Sequence, residues 1–195
     1  MTREYEFKRR AEQMEETRRR IVEAAIELHQ TLGPARTSVS AIAERAGVQR
    51  QTYYRHFPDE RSLFRACSGL YMGRNPLPDP QAWRAIADPR ERVRHGLVEL
   101  YAYYAANEPM LAGVIRDAEV DPLTCEMMTV FVAPAMAELR DALAEGLQSD
   151  TSSPHLMAAL DLALDFNTWR LLVRRSGRSH QETVELVVAI LRCLR

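Results

Sequence analysis

Lysine is almost missing from this chain. Lys8 is the only one in 195 residues, and every other member of its 26 basic side chains is arginine. Cysteine is scarce as well. Cys67, Cys125 and Cys193 are scattered and odd in number, which argues against a disulfide framework or a zinc site and fits a reducing cytoplasm. No apolar run approaches the ~20 residues that a membrane-spanning helix needs, and no signal-peptide pattern opens the sequence. A cytoplasmic protein with no membrane partner is the expectation. Enzyme signatures are lacking too: there is no G-x-S-x-G, Walker loop, G-x-G-x-x-G or H-E-x-x-H. The histidines, at 29, 56, 95, 155 and 180, are dispersed and meet no cysteine or carboxylate cluster. No catalytic residue, metal or cofactor is therefore assigned.

What is present is globular. Hydrophobic residues make up 46% and charged residues 27%, enough for a core and too little net charge, at −1, to point to a partner. The charge is unevenly spread, however. Residues 1–70 hold 13 Arg/Lys against 10 Asp/Glu, whereas residues 71–195 hold 13 against 17. Arginine is the better donor to phosphate and to base edges, and the basic half is the N-terminal one.

The hydrophobic periodicity is helical almost throughout. Ile21, Ala25, Leu28 and Leu32 recur on one face, with Val22 and Ile26 beside them, and Gly33-Pro34 ends that helix. Ser38 stands at an N-cap position before Val39, Ile42, Ala43 and Ala46, and Gly47 closes this short helix. Asp59 caps a further helix carrying Leu63, Phe64 and Cys67. After the breakers of residues 73–80, caps are expected at Asp88, Asn107, Asp121, Ser153 and Ser179, the last in a box with Glu182. No strand or repeat competes. The expectation is an all-α protein of nine or ten helices, with a joint near residues 73–80.

Between Gly47 and Pro58 the sequence reads V-Q-R-Q-T-Y-Y-R-H-F. On a helix, Arg50, Gln51, Tyr54 and Arg55 share one side. Tyr53 and Phe57 lie nearly opposite, facing the Val39/Ile42/Ala46 stripe, and Thr52 and His56 lie on the flank. One face docks while the other presents long donors, as a recognition helix in a major groove requires: Arg reads guanine, Gln reads adenine.

The block from Thr17 to Phe64 resembles the DNA-binding domain of the TetR family of bacterial repressors. The matching residues are R-R-R-I-V-E-A-A-I-E-L at 18–28, Gly33, T-S-V-S-A-I-A-E-R-A-G-V at 37–48, T-Y-Y-R-H-F at 52–57, then Leu63 and Phe64. The resemblance implies an N-terminal helix-turn-helix head of three helices (17–70), preceded by an arm or helix extension (1–16), and a larger C-terminal helical body (71–195) for ligand binding and dimerisation. It implies that Ser38, Thr52 and His56 grip phosphates, Tyr54 touches phosphate or base, and Arg50, Gln51 and Arg55 read sequence. Two positions depart from the pattern. Gln49 is a poorer cap than the usual Ser or Thr, and Glu60 stands where many members clamp phosphate with lysine; Arg61 is the substitute there. Arg3, Lys8, Arg9 and Arg10 of the arm are further candidates for the DNA backbone or minor groove.

The resemblance also implies double-stranded DNA with a palindromic operator and a small-molecule effector as partners, and a homodimer built by the last two helices. Those helices carry stripes of Leu156, Leu160, Ala163, Leu164, Asn167 and Leu171, and of Leu186, Val187, Ile190, Leu191 and Leu194. Aromatic and methionine side chains suited to an apolar effector are Trp83, Tyr101, Tyr104, Met110, Met127, Met128 and Phe131, with Asn167 as a polar anchor and Arg116, Asp117 and Glu119 nearby in the pattern. Residues of this kind at helical spacing also build ordinary cores. Two rival readings are a helical protein-binding module whose helix-turn-helix no longer reads DNA, supported by Glu60, and an enzyme, which has no motif behind it.

Overall fold

The computed structural model describes residues 3–147 and 154–192. The cap expected at Ser153, the thiol of Cys193, the stripe member Leu194 and the side chain of Arg3 lie outside that description. The described residues are all-α, without a strand. The helices are α1 (Arg3–Thr31), α2 (Val39–Arg45), α3 (Arg50–His56), α4 (Glu60–Arg74), α5 (Pro80–Arg84), α6 (Pro89–Ala118), α7 (Pro122–Met127), α8 (Ala133–Ala144), α9 (Pro154–Leu164), α10 (Phe166–Arg170) and α11 (His180–Arg192). A π turn, Met128–Val132, joins α7 to α8, and a second, Leu171–Arg175, extends α10.

Side-chain caps set most boundaries. Ser38 Oγ accepts from Ala41 N at 3.2 Å, Asp59 from Ser62 N at 2.7 Å, and Asp121 from Thr124 N at 2.8 Å. Ser179 and Glu182 form the expected reciprocal box, at 2.8 Å and 3.2 Å. Asn107 is a correction: it is not a cap. Helix α6 runs unbroken through it and through Pro109, and the Asn107 amide donates to Tyr103 O within the helix at 2.9 Å.

The chain forms two compact units. One comprises Met1–Asn75 with Ala112–Met127, the other Pro76–Leu111 with Met128–Arg195. In the first, Ile21, Val22, Ala25 and Ile26 of α1 are buried together with Ile42, Ala43, Tyr53, Phe57, Leu63 and Cys67 of α2–α4. Leu32 falls in the turn after α1 and is exposed, so it does not extend that stripe. This unit also contains a polar joint. The Asp117 carboxylate, 3% exposed, accepts from Ala35 N at 2.9 Å and from Arg116 Nε at 2.7 Å, and Arg116 also reaches Leu32 O at 2.9 Å. Gly33 sits against it with φ 92°, and a Cβ there would collide with the Asp117 carboxylate. Only glycine tolerates both the conformation and the approach.

In the second unit, Trp83, Leu97, Leu100, Tyr101, Leu139, Leu143, Leu160, Trp169 and Val184 are buried. Arg92, also buried, donates to the carbonyls of Ile86, Ala142 and Glu145. The last two lie at the C-terminal end of α8, where a helix leaves its final carbonyls unpaired, so the cation is both satisfied and favourably placed.

Candidate nucleic-acid interface

Helix α2 ends at Arg45 with Ala46 as its C-cap, and Gly47 turns the chain at φ 65°. Val48 N then donates to Ala43 O at 2.9 Å, which fixes the turn before α3 starts at Arg50. Gln49 occupies the N-cap without a side-chain hydrogen bond, as its length predicts. Seven residues are too few for a helix to persist alone, so α3 is held by what it buries. That is Tyr53 and Phe57, 1% and 0% exposed, with ring centroids 6.1 Å apart. The Arg18 guanidinium covers Phe57 at 4.4 Å from its centroid. Burial pushes the Tyr53 phenol up to about 12, so it stays neutral.

The opposite side of α3 carries Arg50, Gln51, Tyr54 and Arg55, all exposed; Thr52 and His56 lie half-buried on the flank. This is the arrangement expected from the sequence. Arg50 and Arg55 join no hydrogen bond or ion pair with any described residue, so both guanidiniums are free to meet an external acceptor. His56 is held below its ordinary pKa, first by burial and then by the Arg55 and Arg18 charges. Near neutral pH it therefore offers a hydrogen bond rather than a positive charge. Its Nε2 is without a partner. Ser38 is exposed at the start of α2, with its oxygen engaged in the cap and its hydroxyl proton left to donate.

Arg61 is placed differently. It stands exposed in the first turn of α4, but both prongs are taken by Glu126 of α7, one at 2.6 Å. Glu126 was not legible as a site residue; it lies 65 positions away and no spacing ties the two. The arm is not a loose strand of chain. It continues α1 as helix, with Lys8, Arg9 and Arg10 exposed.

The residues singled out for a small molecule are dispersed in their environments. Trp83, Tyr101 and Tyr104 are buried and internally bonded: Trp83 Nε1 donates to Glu99 at 2.6 Å, Tyr101 OH to Ala163 O at 3.0 Å, and Tyr104 OH to Leu164 O. Met110 is buried in the second unit and Met127 in the first. Met128 is half-buried, while Phe131 and Asn167 are exposed. Of the other polar candidates, Arg116 and Asp117 serve the joint with Gly33. Tyr104, Phe166 and Trp169 form an aromatic cluster with centroids 5.5–5.7 Å apart, and the buried Trp169 Nε1 has no hydrogen-bond partner. Of the C-terminal stripes, Leu156, Leu160, Ala163, Leu164, Val187 and Leu191 are buried within the unit, Leu186 is half-buried, and Leu171 and Ile190 are about half exposed at 49% each.

A short helix docked by two aromatics, with unpaired arginines on its outer side and a glycine turn before it, defines a helix-turn-helix head. Residues 21–67 match the family model of bacterial regulatory proteins, tetR family. The match falls on α1–α4, the segment that carries the helix-turn-helix. Beyond that segment, the chain shares the fold of solved transcriptional regulators over most of its length. The structure of the TetR family transcriptional regulator PfmR from Thermus thermophilus is 21% identical with a TM-score of 0.63, covering 89% of this chain and 94% of that one. The fatty acid degradation regulator FadR from Bacillus halodurans is 19% identical with a TM-score of 0.59, covering 90% and 94%. A TetR-like transcriptional regulator from Rhodococcus sp. is 18% identical with a TM-score of 0.58, covering 90% and 93%. No curated protein matches the sequence. No helix among the described residues is long and apolar enough to cross a membrane.

Proposed function

We propose that this chain is a sequence-specific transcriptional repressor that acts in the cytoplasm as a homodimer on a palindromic operator and is controlled by a small, mostly apolar effector. The observation that carries the DNA-reading part is the division of α3: Arg50, Gln51, Tyr54 and Arg55 outward and unburied, Tyr53 and Phe57 inward. In this reading Arg50, Gln51 and Arg55 contact base edges, Tyr54 contacts base or phosphate, and Ser38, Thr52 and His56 hold the backbone. Two heads read two half-sites about 34–36 Å apart, which gives the operator its two-fold symmetry. Dimerisation runs through α9 and α11 with the exposed apolar residues Leu162, Leu171 and Ile190 contributing. The effector site is assigned to the body, around Trp83, Tyr101, Tyr104, Met110, Met128, Phe131 and Asn167. An effector acts only by binding two arrangements of the heads with different affinity.

The test uses gel shifts with a duplex selected from a random pool and with its scrambled counterpart. Arg50→Ala weakens the selected duplex by about tenfold, the equivalent of one lost base contact, and leaves the scrambled one nearly unchanged. His56→Ala weakens both alike. Equal loss on both duplexes for Arg50→Ala would end its base-reading role.

A further inference from the structure

The arginines of the first unit differ in one respect that bears on DNA. Arg50 and Arg55 are free, whereas Arg61 is gripped by Glu126 through two parallel hydrogen bonds. Three residues, 57–59, separate the end of α3 from the start of α4, so Arg61 lies shortly past the reading helix in the chain. Asp59 and Glu60 precede it directly. The Asp59 charge, besides Glu126, also acts on the Arg61 guanidinium. Burial does not explain the pairing, because the Arg61 and Glu126 side chains are 54% and 39% exposed. A carboxylate in a guanidinium fork offers two oxygens in the geometry that a phosphate diester offers.

We infer that Glu126 is an internal competitor for DNA phosphate: its carboxylate occupies the Arg61 fork that would otherwise take a backbone phosphate beside the half-site. The inference rests on the DNA-binding reading. It adds that affinity is set partly by a residue outside the helix-turn-helix, since α7 lies beyond the matched segment 21–67. Glu126 is the penultimate residue of α7, two positions before the π turn Met128–Val132, so the carboxylate is aimed by a helix end rather than by the three-helix head. The contact is a brake on binding: duplex DNA must either displace the carboxylate, leaving it unpaired beside the phosphate, or forgo the Arg61 contact.

The test is Glu126→Gln in the full chain, which keeps the side-chain shape and removes the charge. Fluorescence anisotropy over a salt series is measured with a selected and a scrambled duplex, for wild type, Glu126→Gln, Arg61→Gln and the double variant. Glu126→Gln is expected to bind both duplexes about threefold to tenfold tighter at low salt, with a steeper salt dependence equivalent to about one more released counterion per head. The double variant loses that gain. Thermal melts of all four coincide, because an exposed pair adds little to folding. Wild-type or weaker affinity in Glu126→Gln overturns the proposal while leaving the DNA-binding reading intact, and so does a gain that persists in the double variant. If neither wild type nor Glu126→Gln binds any duplex, the DNA-binding reading fails and the brake fails with it.

Discussion

Replacing Phe57 with alanine tests whether the reading face depends on what lies behind it. Phe57 is fully buried, packs against Tyr53 and carries the Arg18 guanidinium 4.4 Å from its ring centroid. Truncating a buried phenylalanine costs about 3–5 kcal/mol, and the lost cation–π contact adds about 0.5 kcal/mol for a half-exposed arginine. The sum, about 4 kcal/mol, is large against the roughly 5–15 kcal/mol that holds a whole domain together. Helix α3 has no cap bond from Gln49 and only seven residues, so little else retains it. In urea denaturation followed by circular dichroism, the transition of the unit containing α3 should fall by about 2 M, given a slope of about 2 kcal/mol per M. Specific DNA binding should disappear together with it. Phe57→Leu keeps most of the volume, costs less than about 1.5 kcal/mol and should retain binding. A Phe57→Ala protein with an unmoved urea midpoint and normal specificity would refute the reasoning, because α3 would then be held by something other than its buried face.

Two further predictions concern the joint behind the head. His29 is buried beside Phe64, and burial holds its pKa down to about 4, opposed only by the Asp117 charge. Between about pH 6.5 and pH 4 the unfolded chain binds a proton that native His29 does not, so stability falls as pH drops through that window and levels off below it. At pH 5 the loss is roughly 2 kcal/mol relative to pH 7, and His29→Gln should abolish that part in urea denaturation at the two pH values; an identical pH dependence in the variant would contradict it. Gly33→Ala should cost roughly 3–5 kcal/mol, from a glycine-only conformation at φ 92° and from a Cβ that would strike Asp117 Oδ2 and break the Ala35 hydrogen bond. A thermal melt superimposing on wild type would show that the turn relaxes freely.

The head was legible because its signals are local and agree with one another. Ser38, Gly47 and Asp59 each mark a boundary within a few residues of the side chains they position, and the i, i+4 spacing of Tyr53 and Phe57 assigns the faces of α3 without further information. The same logic failed at Asn107. A cap-like residue two positions before a proline reads as a helix start, yet the surrounding apolar pattern continues on both sides, and burial of α6 outweighs the hydrogen bond that Pro109 removes. The partners of Glu126 and Asp117 were invisible for a different reason. Each acts on a partner far along the chain, at separations of 65 and 82 residues, and a single sequence carries no trace of such a pairing.

The body resisted reading because aromatic and methionine side chains have two uses that share one pattern. Trp83, Tyr101 and Tyr104 were singled out for their chemistry, and in the structure each polar tip is already spent inside the protein. The reason for the tyrosines lies at Asp165, where α9 gives way to α10. The break leaves the Ala163 and Leu164 carbonyls without helical donors, and the two tyrosine hydroxyls on α6 supply them. Those tyrosines are thus tied to the helix junction before any ligand arrives. Trp169 is the exception in the same cluster, since its buried N–H has no acceptor. An unpaired buried donor costs about 1–3 kcal/mol. Trp169 is thus the member of that aromatic cluster whose polar tip stays unspent, while the tyrosines beside it are committed to the helix junction.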